Sequence, residues 1–384
     1  MPARTMTAGP GSTPLMPRYG ESALPDLATS LLAALGVPAE ANPLDLPPAG
    51  KICLLVVDGM GWELLRQFPA AAPFLSELAM TGAPLTAGFP STTVTSLTSL
   101  GTGLPPGQHG MLGYQVAVPG HGTLLNALHW DDRVDPVVWQ PAPTIFERAA
   151  RAGVAALRVA HSSFRKSGLS TASMRGADYR SANTLGALVS HTAAALAGDG
   201  PALAMVYTGD LDATGHMYGC GSDAWRYQLG HADKLAEQLA GALPPGTALY
   251  ITADHGMTDV PADKRADADA LPELREGVRL LGGEPRARHV YAAPGAAADV
   301  LASWRETLGS RAWVASRDEA IAAGWFGPVD PRWAARIGDV VAAAAGCSAI
   351  VATAAEPRES ALVGMHGSLT SADQLVPLLI RGPS

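Results

Sequence analysis

Apolar positions along this chain come in two textures. Some form short unbroken runs, and others recur at helical spacing between those runs. Ile52 to Val57 is such a run, six residues without a polar interruption, as expected of a strand buried on both faces of a parallel sheet. Further runs predict strands over 154–160, 201–208 and 247–253, with a last strand over Leu375–Ile380. Helical spacing predicts helices over 24–35, 62–80, 144–152, 184–197 and 224–243. The first of these is closed by Gly36 and Pro38. Helix and strand therefore alternate, the signature of an α/β fold with a mostly parallel central sheet flanked by helices.

Three stretches depart from that alternation. Residues 1–20 are rich in Pro, Gly and Ser and are expected to be a loose arm, which with the lead-in helix makes up residues 1–50. Residues 105–135 lack a clear period and are expected to be a long functional loop. Between about 261 and 360 the texture is more charged, with a strand expected over Arg286–Tyr291 and a helix over 296–308. This segment is expected to be a smaller α+β subdomain inserted into a catalytic domain formed by residues 51–260 and 361–384.

Composition narrows the function. The 384 residues are 47% hydrophobic and 16% charged, enough for a large globular core. A net charge of −8 argues against a general nucleic-acid binder, but bound metal would still allow an anionic substrate. The three widely spaced cysteines, Cys53, Cys220 and Cys347, point to reduced thiols and a cytoplasmic protein. No signal-peptide pattern and no membrane span is expected.

Chemistry-bearing residues gather where strands end. The first strand stops at Asp58-Gly59; strand 201–208 leads into Asp210, Asp212 and His216; strand 247–253 leads into Asp254-His255-Gly256; and His366-Gly367 lies near the end of the chain. Ligands in open α/β sheets bind outside the carboxyl ends of the strands. Mixed Asp/His sets there suit a borderline divalent cation, and two such sets close together suit phosphoryl chemistry. A P-loop, an HExxH helix and a GxSxG elbow are all missing. His289, on the expected strand of the inserted segment, and His161, at a strand end, are weaker candidates for the cleft.

The ordered set of strand-DG, a Ser/Thr-rich helix start closing in Thr102-Gly103, DxxGH, ADHGM and a late HG resembles the alkaline phosphatase superfamily. Within it, the chain looks most like the nucleotide pyrophosphatase/phosphodiesterase branch, with phosphonoacetate hydrolases as near relatives. The resemblance covers about residues 50–260 and 360–384. It implies two divalent metal ions, zinc by expectation. Asp58, Asp254 and His255 match the ligands of one ion, and Asp212, His216 and His366 those of the other. Asp210 competes with Asp212, but the DxxGH spacing favours the latter.

The family's nucleophile lies nine residues before the Thr of the Thr-Gly pair, which is Thr93 here and which also touches the first metal; Thr92 is the alternative. At the position of the family's phosphate-binding Asn stands Tyr114, whose hydroxyl is expected to contact a phosphate oxygen. The implied activity is two-metal hydrolysis of phosphodiester or pyrophosphate bonds through a phospho-threonine, on a small phosphate ester or nucleotide. The alternatives are a phosphomonoesterase or phosphonate hydrolase on the same scaffold, or a metal-stabilised binding protein without turnover.

Overall fold

A computed structural model describes residues 13–383. Seven strands form one central sheet in the order 83–86, 375–381, 247–252, 51–57, 202–208, 155–160, 178–181. The five strands from 247–252 to 178–181 run parallel, while Leu375–Arg381 pairs antiparallel with both its neighbours. Strand Lys51–Val57 lies at the centre, so both its faces are covered and six of its seven residues are buried. Its register sets Val57 beside Thr208 and Val56 beside Thr252, so the residues that follow all three strands emerge on one edge. Helices cover both faces. The fold class expected from the alternating pattern is the one observed.

The differences have local causes. The expected helix over 62–80 is two helices, Trp62–Gln67 and Pro73–Ala79. Pro69 has no N–H to give an ongoing helix, and Pro73 suits a first turn, where no N–H is needed. The segment over 105–135 holds a short helix, Pro106–His109, and a hairpin of Gln115–Val118 with Thr123–Asn126. Residues 13–20 are not loose. Leu15 N–H bonds the Leu369 carbonyl, and the Tyr19 hydroxyl accepts from Phe89 N–H and donates to the Trp325 carbonyl. The rest of the expected arm, residues 1–12, lies outside the described residues.

Between the strands 247–252 and 375–381 the chain builds a second sheet, antiparallel throughout, in the order 278–284, 287–292, 340–344, 312–316. Helix Ala297–Leu308 closes one face by burying Val300, Trp304 and Leu308. The other face shares a core with the 105–135 segment, in which Phe89, Trp139, Trp325 and Phe326 are buried together. His289 belongs to this junction. Its Nδ1 accepts from Gly338 N–H and its Nε2 faces the Leu112 carbonyl at 2.8 Å, so it ties the second sheet to the 105–135 segment and does not line the cleft.

Candidate active site

Asp58 leaves the central strand with its N–H still bonded to the Thr208 carbonyl, so its carboxylate is placed by the sheet itself. Gly59 turns the chain at φ 72°, and a side chain there would come within 3.1 Å of Asp212 Cα and Cβ. The glycine of the strand-DG pattern is thus what lets the next functional element approach. That element is a helix, Asp210–Tyr218. Asp212 and His216, four apart, lie on one face of it, with Oδ2 and Nε2 3.3 Å apart. Asp210 is exposed at the helix start, so Asp212 is the carboxylate brought into the cluster.

Asp254 and His255 follow the neighbouring strand and are fully buried. His255 Nε2 stands 3.2 Å from Asp58 Oδ1 and 3.7 Å from Asp254 Oδ2. The His366 ring stacks on that of His255 with centroids 3.6 Å apart, and its Nε2 lies 3.8 Å from Asp212 Oδ1. Two groups of ligand atoms result, each lying within 4.8 Å of one another: Asp212, His216 and His366, and Asp58, Asp212 and His255. Asp212 belongs to both.

The protonation pattern suits cations. His216, His255 and His366 each direct Nδ1 at a backbone carbonyl, of Gly364, Gly256 and Ser91, at 2.7, 2.9 and 3.0 Å. A carbonyl only accepts, so each Nδ1 carries a proton and each Nε2 faces the cluster. On the acidic side, Asp58 Oδ1, Asp212 Oδ1 and Asp254 Oδ2 are buried without a hydrogen-bond partner. Their other oxygens are held: Asp58 Oδ2 by the Tyr207 hydroxyl, and Asp254 Oδ1 by the N–H groups of Gly59 and His255. Burial and the Asp58 carboxylate push the Asp254 carboxyl well above its usual range. Burial would depress His255, but Asp254 and Asp58 hold it well above the ordinary imidazole value. Buried, mutually repelling carboxylates with orphaned oxygens fit a site for divalent cations.

Thr93 opens the helix Thr93–Thr102, and its Oγ1 is 3.3 Å from His255 Nε2. Thr92 precedes it at the cap position, yet its hydroxyl does not cap the helix. Tyr114 lines the same cleft, of about 290 Å³, with Thr92, Thr93 and the outer ligand set. Its hydroxyl accepts from Asn126 at 2.8 Å and donates to Glu359 at 3.2 Å. His161 is exposed and bonds Ser163. Glu284 was not among the residues expected in the site. It ends a strand of the second sheet, and burial pushes its carboxyl up to about 8. The signal for it was Gly283-Glu284-Pro285, an acid at a Gly/Pro turn after an apolar stretch, much like Asp58-Gly59.

A family model described as type I phosphodiesterase / nucleotide pyrophosphatase matches residues 52–369, which span every residue of the cluster. The chain belongs to that family. Solved structures share the fold of this phosphodiesterase-family chain at low identity. Murine ectonucleotide pyrophosphatase/phosphodiesterase 5, as an inactive variant in complex with AMP, is 19% identical over 87% of this chain and 88% of its own, with a TM-score of 0.70. The human protein of the same name is 21% identical over 87% and 88%, with a TM-score of 0.67. Phosphonoacetate hydrolase from Sinorhizobium meliloti 1021, in complex with phosphonoformate, is 18% identical over 87% and 90%, with a TM-score of 0.64. No curated protein sequence matches the chain. Among the described residues no helix is long and apolar enough to cross a membrane.

Proposed function

We propose that this chain hydrolyses phosphodiester or pyrophosphate bonds in small molecules, with Thr93 as nucleophile and two divalent ions, zinc by preference, held by the six Asp and His ligands. The observation that carries the reading is the convergence of three orphaned carboxylate oxygens and three Nε2 atoms beside the Thr93 hydroxyl. Asp58, Asp254 and His255 would hold the ion nearer Thr93, and Asp212, His216 and His366 the other. Bound cations would supply the positive charge that lowers the pKa of the threonine hydroxyl and offsets charge building on the phosphoryl and leaving oxygens.

The chain's own residues do the rest. Thr93 sits at the first turn of its helix, where free N–H groups favour an incoming phosphoryl oxygen. Its Oγ1 forms the bond to phosphorus as the bond to the leaving alcohol breaks. The threonine proton passes to solvent, and the departing alkoxide takes one from water. Water then cleaves the phospho-threonine and restores the hydroxyl, so the net reaction consumes one water per ester bond. Tyr114, which lines the same cleft as Thr93 and is fixed by Asn126 and Glu359, would contact the phosphoryl group. The unpaired cysteines fit a cytoplasmic setting.

The test compares bis(p-nitrophenyl) phosphate with p-nitrophenyl phosphate, using zinc-loaded wild type and Thr93→Ala. The reading expects faster diester cleavage that is lost in the variant while metal content stays near that of wild type. A preference for the monoester would transfer the chain to a phosphatase role. Full activity in Thr93→Ala would remove the nucleophile assignment.

A further inference from the structure

A second cavity, of about 410 Å³, opens where the tip of the 115–126 hairpin meets the antiparallel sheet. It lies within the size range of small-molecule sites and shares no lining residue with the catalytic cleft. Val118, Pro119 and Leu280 make its wall largely apolar. The Tyr291 hydroxyl accepts from Ala117 N–H at 2.8 Å and donates to the Arg336 carbonyl at 2.6 Å, so the ring is what Tyr291 has left for an occupant. Asp339 is the single carboxylate of the described lining, and both its oxygens are engaged: Oδ1 by Arg317 Nη2 at 2.8 Å and Oδ2 by Ala292 N–H at 2.9 Å. Arg279 therefore has no carboxylate left in the cavity to pair with. It stands where the strand 278–284 shifts register between Val278 and Leu280, an irregularity that re-aims a side chain. Its Nη1 comes to 3.8 Å from where a side chain on Gly122 would begin, so the guanidinium lies over the hairpin turn.

We propose that this cavity binds a small aromatic anion, one negative charge on a flat apolar body, with the charge on Arg279 and the body against Tyr291 and Leu280. The site is independent of the hydrolase reading above. Arg279 and Arg317 against Asp339 leave one net positive charge, which a single anionic group neutralises. A guanidinium offers a planar fork of N–H donors to a carboxylate or sulfonate, and such charge-assisted bonds are stronger than neutral ones. An aromatic body would exchange water for Val118, Pro119 and Leu280. A cation would meet the uncompensated guanidinium, and an uncharged ligand would leave it unpaired.

The experiment titrates the full chain at neutral pH with two fluorescent probes of nearly the same shape, anionic 8-anilinonaphthalene-1-sulfonate and uncharged N-phenyl-1-naphthylamine. The sulfonate is expected to bind at one site per chain, about tenfold more tightly than the amine, and the gap should narrow at high salt. Arg279 is exposed, so Arg279→Gln should fold as wild type does. It should weaken the sulfonate about tenfold and leave the amine unmoved. Ala335→Trp, at an exposed position of the lining, should obstruct the cavity and weaken both probes. Equal affinity for the two probes, or sulfonate binding that neither variant changes, would overturn the proposal.

Discussion

Removing metal should cost this protein stability as well as turnover, and the amount follows from the ligand cluster. Asp58, Asp212 and Asp254 present buried oxygens without a hydrogen-bond partner. An ion that binds only the folded cluster stabilises the fold by about 2.7 kcal/mol when its free concentration is a hundred times its dissociation constant. Two such sites, taken as additive, then give about 5.4 kcal/mol. The entropy of unfolding is roughly 2.1 cal/mol/K per residue, or about 0.8 kcal/mol/K for 384 residues, so the melting temperature should rise by about 7 °C on loading both sites. The assay is scanning calorimetry of chelator-treated protein with and without zinc. Asp212 belongs to both groups of ligand atoms, so Asp212→Asn should remove more than half of the shift. A zinc-induced shift below about 1 °C, or an equal shift in wild type and Asp212→Asn, would refute the reasoning.

Two other buried networks give further predictions. His109 and His289 each accept a backbone N–H at Nδ1, from Met111 and Gly338, so both are neutral in the fold, and burial holds them down to about 3 and about 4. Because the unfolded chain binds these protons more readily, the stability they contribute is complete above about pH 6.5 and is lost as pH falls toward the folded values, at up to about 1.4 kcal/mol per unit for each group. His109→Gln should flatten the dependence between pH 6.5 and 5 by about that slope in urea unfolding of metal-free protein, and an unchanged slope would count against the assignment. Arg286 pairs with Asp373 at 2.6 Å with both side chains fully buried, and Asp373 also accepts from Ser368 N–H two residues beyond His366. Arg286→Ala should cost about 3–5 kcal/mol by stranding a buried carboxylate, measured by denaturant unfolding; a loss under about 1 kcal/mol would mean the pair contributes little.

The central sheet was legible because strands buried on both faces leave unbroken apolar runs, and Ile52–Val57, 202–208 and 247–252 all did so. Asp58, Asp254 and His255 were legible because they follow those runs directly. The helical setting of Asp212 and His216 was obscured by Gly209 and Gly215, which read as turn residues. The hairpin over 115–126 was hidden because its strands are only four residues each, too short to show a period. Glu284 was the hardest to find. Its local sign is the Gly283-Glu284-Pro285 turn, but its place in the cleft depends on pairing within a second sheet distant in sequence from Thr92 and on space left by Gly367.

Attack by Thr93 on phosphorus is most directly tested by trapping the covalent species. Zinc-loaded enzyme would be mixed in excess with bis(p-nitrophenyl) phosphate, quenched in acid within a single turnover and mapped by peptide mass spectrometry. A p-nitrophenyl phosphoryl group on the peptide bearing Thr93, absent from Thr93→Ala, is the predicted result. An adduct on Thr92 or any other residue, or wild-type turnover by Thr93→Ala, would contradict it.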